Sequence, residues 1–128
     1  MIDKELLKLA AMGARLVLWK TQDDGEPGLL VHGGDGPIKW NPLEDDGAAL
    51  RLAVNLNMHI CRFDSMTTAR IMGANWGCDE RDDGAPVAAT RRAIVRVAAE
   101  IGSLHNAGAE PREASASGNL LYDTRKNT

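Results

Sequence analysis

Few side chains in this sequence could do chemistry, and their spacing limits what each could do. His59 and Cys61 alternate within the run Met58 to Phe63, and in a strand both would point to the same face. Together with His32 and Cys78 they would make a four-ligand set of the kind zinc takes. The C-x-x-C or H-x-x-x-H spacing that normally signals such a site is missing, and a strand cysteine is more often a small core residue. Core packing is therefore the expected role of His59 and Cys61. Cys61 and Cys78 read as free thiols, since two cysteines form no disulfide framework.

Carboxylates gather in two stretches, Asp23, Asp24 and Glu26, then Asp79, Glu80, Asp82 and Asp83. If the strands alternate in direction, both stretches fall at one end of the sheet, where their oxygens would suit Ca²⁺ or Mg²⁺. Residues 79–84 depart from a calcium loop, because Arg81 stands where a ligand is required. Two solvated loops are the expected reading, with an acidic surface for a basic partner as the alternative. Arg91, Arg92 and Arg96 could touch phosphates. The 128-residue chain carries 18 acidic against 15 basic residues, a net charge of −3, and would repel nucleic acid elsewhere. A solvated helix face is expected there.

Catalytic signatures are missing as well: there is no G-x-S-x-G, phosphate-binding loop or dinucleotide fingerprint. Gly33-Gly34-Asp35-Gly36 lacks the lysine and following helix of a phosphate cradle and reads as a turn. His105 lies near a helix end on the apolar side, where capping or packing is the default. No catalytic, cofactor-binding or metal-binding residue is assigned, and no cofactor is expected.

The elements that would position these residues follow from periodicity and punctuation. A helix is expected over residues 3–13, with Ile2, Leu6, Leu9, Ala10 and Gly13 on one face. Strands are expected at 15–20 and 29–32, with Ile38–Trp40 as a short returning run. Asn41, Pro42 and Glu44 resemble a capping box opening a second helix. That helix is apolar on two sides, with Leu43, Gly47, Leu50 and Val54 on one stripe and Ala49, Leu52 and Leu56 on the other. Such a helix is largely buried, or touches both a sheet and a partner. Met58–Phe63 and Thr67–Asn75 read as strands around a tight turn at Asp64-Ser65, and residues 76–86 as a loop. A last helix is expected over 87–105, with Val87, Ile94, Val97, Ala98, Ile101 and Leu104 inward and Arg96 spaced to pair with Glu100. Trp19, Trp40 and Trp76 are the expected core anchors.

The order α-β-β-α-β-β-α, with hairpins between strands, predicts a three-layer α/β/α sandwich around a small, largely antiparallel sheet. Strands covered on both faces should be apolar on both sides, as Met58, Ile60, Cys61 and Phe63 are. Residues 1–106 form the expected single domain. Residues 107–128 are small, polar and broken by Gly108, Pro111 and Gly118, and read as a flexible tail in which only Asn119–Tyr122 could order as a docking strand. No apolar run approaches the ~18 residues that cross a bilayer, and Met1–Glu5 lacks the basic start of a signal peptide.

Two segments resemble a known family. W-N-P-L-E-D-D-G-A-A-L-R-L-A-V-N-L (residues 40–56) and A-T-R-R-A-I-V-R-V-A-A-E-I-G (residues 89–102) are similar to the phage ABA sandwich domain family of tailed phages and prophages. The resemblance implies an α/β/α sandwich and a phage origin, and it implies no activity. The resulting expectation is a non-enzymatic phage or prophage accessory protein in the host cytoplasm. It would act by binding another protein, or a second copy of itself as a homodimer, with no role at a membrane or on nucleic acid. The alternative is a small metal-dependent or nucleic-acid-processing enzyme that uses the acidic loops.

Overall fold

The computed structural model describes residues 3–18, 28–73 and 77–106. Helix α1 (Asp3–Gly13) buries Leu7, Ala10, Ala11 and Gly13. It ends at Arg15, which takes a left-handed conformation at φ 61°. The Arg15 amide donates to the Met12 carbonyl at 3.1 Å, and the Leu16 amide to that of Ala11 at 2.9 Å. This paired closure satisfies two carbonyls the helix leaves orphaned. It also corrects the strand expected over 15–20. Arg15 and Leu16 belong to the helix end; beyond them Leu18 pairs in an isolated bridge to Val31, and the Val17 carbonyl accepts from the His32 amide at 2.9 Å. Trp19 and Lys20 lie outside the described residues.

Strands β1 (Leu29–Gly33) and β2 (Gly36–Trp40) form an antiparallel hairpin around Gly34-Asp35, with Leu29 opposite Trp40. The short run ending at Trp40 is thus a full strand, and Trp40, 8% exposed, is a core anchor as expected. Trp76 lies outside the described residues.

Helix α2 (Asp46–Asn55) begins five residues beyond the expected cap. Asn41 instead organises a tight turn. Its Oδ1 accepts from the Leu43 amide at 3.3 Å, and its carbonyl accepts from Glu44 and Asp45 at 3.0 and 2.8 Å. Asp45 is the true cap, accepting from the Gly47 amide at 3.0 Å. Asn and Asp cap about equally well, and the turn between them is braced from α3, where Arg91 donates to the Leu43 carbonyl at 2.7 Å. The left-handed Asn57, φ 54°, then leads the chain from α2 into the next strand.

Strands β3 (Met58–Phe63), β4 (Met66–Ile71) and β5 (Gly77–Arg81) form an antiparallel sheet in that spatial order. Asp64, at φ 53°, and Ser65 make the expected tight turn. Two boundaries differ from expectation. The second strand of the hairpin stops at Ile71, and residues 77–81, expected as loop, form β5. Helix α3 runs from Pro86 to Asn106.

The described residues form a mixed α/β fold with three helices and two small antiparallel sheets, in the expected class, with β5 as one strand more. Helix α3 is its centre. Ala93 and Val97 pack on Ala69 of β4, while Ile94, Val95, Ala98 and Ala99 join a larger cluster with α1, β1, β2 and α2. Against α1 the approach is backbone to backbone. A methyl group on Gly102 would overlap the Leu9 carbonyl oxygen, and one on Gly13 the Ala98 carbonyl oxygen. The expectation that β3 is apolar and covered on both sides is not met. Met58 and Ile60 are half-buried, whereas His59 and Cys61 are exposed, and so is Phe63 at 50%. One face of β3 therefore lies in solvent.

Candidate functional site

A groove of about 420 Å³ opens between α2, β3 and the first half of α3. Ala49, Leu50 and Ala53 form one wall, Val87 and Ile94 the other, and Ile60 lies between them. The gap has a sequence cause. The α2 side chains beside α3 are alanine methyls, while the larger Leu52 turns into the core at 3% exposed. The lips are apolar and uncovered, with Leu50 64% and Val87 57% exposed, and Val54 lies one helical turn beyond Leu50 at 65%. Of the two alternatives for α2, burial of both stripes does not hold, because Leu50 and Val54 are open; and the expectation that Val87 joins the inward stripe of α3 is corrected.

The polar groups at the groove are held in place. Thr67, fully buried on β4, accepts from Arg62 Nη1 at 2.7 Å and lies 2.9 Å from the Thr90 hydroxyl. Thr90 donates to the Pro86 carbonyl at 2.9 Å. The protons then run one way, from Arg62 to Thr67, from Thr67 to Thr90, and from Thr90 to the backbone, so neither hydroxyl is orphaned. Arg62 also forms a two-pronged pair with Asp82, at 2.8 and 2.9 Å, a geometry that suits a guanidinium and a carboxylate. That hydrogen bond holds the Asp82 carboxyl below the usual carboxylate range and raises the Arg62 pKa further. Arg91 bridges from α3 to Leu43 and to Asp46, the latter at 2.6 Å, and so fixes one end of α2.

The residues singled out in the sequence are dispersed. His59 and Cys61 are exposed on β3, which corrects their assignment to the core. Cys78 lies on the opposite face of the sheet, where its Sγ donates to the Ala93 carbonyl at 3.3 Å. Burial pushes its thiol up to about 11, against the lowering effect of Arg96. His32 belongs to the other sheet. Among the described residues no three His, Cys, Asp or Glu side chains come together as a metal site. Asp23, Asp24 and Glu26 lie outside the described residues.

Asp79 and Glu80 are strand residues facing opposite ways, not loop residues. Asp79 accepts from Thr68 at 2.8 Å, and Glu80 pairs with Arg96. The Arg96–Glu100 pair expected along α3 gives way to this contact across elements. Arg91 and Arg92 also face carboxylates, of Asp46 and Asp3. His105 is half-buried, and among the described residues its Nε2 has no hydrogen-bond partner.

The groove was only half legible in the sequence. Leu50 and Val54 marked a surplus apolar stripe on α2, but nothing local tied Ile60, Arg62 and Val87 to it. Comparison with protein-family models, curated proteins and solved structures finds no match for this chain. Among the described residues no helix is long and apolar enough to cross a membrane.

Proposed function

We propose that this chain is a non-enzymatic protein-interaction module, and that it works by taking a short apolar peptide segment into the α2–β3–α3 groove. The observation that carries this reading is the pair of apolar lips, Leu50 and Val87, exposed on either side of walls formed by Ala49, Ala53, Ile60 and Ile94. An apolar trough between helices is a common way of receiving a partner segment. The arginines at its edge already have partners, so apolar contact rather than charge supplies the affinity. A phage or prophage origin, and action in the host cytoplasm, are part of the same proposal and rest on the resemblance of residues 40–56 and 89–102 to the phage ABA sandwich family.

The test is a displayed peptide library selected against the protein, followed by binding to Leu50→Glu and Val87→Glu variants. Both positions are exposed, so each variant should keep its stability within about 0.5 kcal/mol. Apolar peptides that bind the parent and lose about tenfold or more in each variant support the reading. Selected peptides that bind the variants as well as the parent overturn it, as does a library that yields no binder.

A further inference from the structure

The sequence of this same chain carries a segment that could fill the groove. Within residues 107–128 the only large apolar side chains are Leu120, Leu121 and Tyr122, and they are consecutive. The groove sits against the first turns of α3, around Val87, Thr90 and Ile94. From Thr90 to Asn106 the helix rises about 24 Å. Residues 107–119 join Asn106 to Leu120 and are small and polar, with Gly108, Pro111 and Gly118 among them. A flexible coil of that length would have a root-mean-square span of about 20 Å. The match matters, because the effective concentration of a tethered segment peaks when linker and span agree and is then of millimolar order. Even a weak apolar segment is held in place under those conditions.

We infer that Leu120, Leu121 and Tyr122 dock in the α2–β3–α3 groove of their own chain and compete there with outside segments. The inference rests on the groove being a docking surface, as proposed above, and it names the first occupant. A segment without comparable apolar side chains would have no reason to leave water for this trough. Its alternatives are a second copy of the chain, or an empty groove.

The decisive measurement compares methyl NMR spectra of the full chain with those of a Leu120→Asp/Leu121→Asp variant. Methyl signals of Leu50, Ile60, Val87 and Ile94 should move, while those of Leu7, Val31 and Val95 in the core stay in place and report an intact fold. The difference should persist on dilution. A peptide selected as above should bind the variant about threefold tighter or more, because its competitor is gone. Groove methyl signals that coincide in the two proteins overturn the inference, and so does a difference that fades on dilution, which would assign the groove to a second copy. The two proposals fail separately. Unmoved methyl signals with undiminished peptide binding remove the tethered occupant alone, whereas moved signals without any peptide binder remove the outside partner alone.

Discussion

Helix α3 meets its two helical neighbours in opposite ways. Against α1 it carries glycine and alanine where the helices cross, and backbone comes so close to backbone that Gly13 and Gly102 have no room for a methyl group. Against α2 it also meets small residues, Ala49 and Ala53, yet there a groove remains. Small residues therefore do not by themselves produce close packing. What differs is what holds each pair. The α1 contact is drawn shut by apolar burial around Leu7, Ala10 and Ala11. The α2 end is held by Arg91, which spans from α3 to Leu43 and Asp46, while Arg62, Thr67 and Thr90 tie the sheet to α3 beneath the groove. Fixed polar ties can keep two elements at a set distance with space left between them, which is what a receiving surface requires.

The largest effect should come from closing the difference on the tight side. Gly102→Ala adds one methyl group where the Leu9 carbonyl stands, and a backbone atom in a helix cannot swing away. Alanine favours the helix by about 1 kcal/mol over glycine, but overpacking of this kind costs about 1–3 kcal/mol, and more where relief requires helices to separate. The clash should win, with a net loss of about 2 kcal/mol and a fall in Tm of roughly 10 °C. Thermal unfolding followed by circular dichroism decides it. A variant as stable as its parent would mean that the helices can part freely, and the contrast with the α2 side would disappear.

A smaller effect is expected on the open side. Thr67→Val keeps the shape of a fully buried side chain and removes its oxygen. Arg62 loses one acceptor, though it keeps Asp82, and Thr90 loses the proton it receives. The cost should be about 1–2 kcal/mol, as for other buried hydrogen bonds left half-made. Thr67→Ser restores the oxygen and should recover the network, so urea unfolding of the pair separates hydrogen bonding from packing. A loss in Thr67→Ser with none in Thr67→Val would show that the methyl group, not the hydroxyl, supports the groove.

The sequence made some of this arrangement legible and hid the rest for identifiable reasons. The long period-3.6 stripe of α3 placed its helix within a residue at either end, and the strand-length run Met58–Phe63 with the Asp64-Ser65 turn located the hairpin. These signals are local and repeated. The start of α2 differs from expectation because Asn41 and Asp45 are equally good caps, and the turn that Asn41 organises is braced by Arg91, far along the chain. Arg15 ended a helix where its neighbours read as a strand, since no pattern marks a left-handed arginine in advance. Of the candidate site, the α2 stripe with Leu50 and Val54 was visible as an apolar surplus. Its joining to Ile60, Arg62 and Val87 was not, because a groove is a relation among three elements and has no spacing of its own.

The smallest expected effect concerns charge and tests whether the Arg62–Asp82 pair contributes to the ties under the groove. The hydrogen bond from Arg62 lowers the Asp82 pKa in the folded chain from its ordinary value of 3.8. A carboxyl whose folded pKa is depressed adds stability above its unfolded pKa, and that stability is lost as pH falls through the folded value. Asp82→Asn should therefore be slightly less stable than the parent at neutral pH, and the difference should close under strongly acid conditions, where the parent's own carboxyl is protonated. The pair is open to water, so the gap at neutral pH should be small and should narrow further with added salt. Urea midpoints for both proteins across the acid range measure it. A gap of the same size at neutral and acid pH would mean that Asp82 acts by shape and not by charge. The groove would then be held open by the Thr67–Thr90 relay and the Arg91 bridge alone.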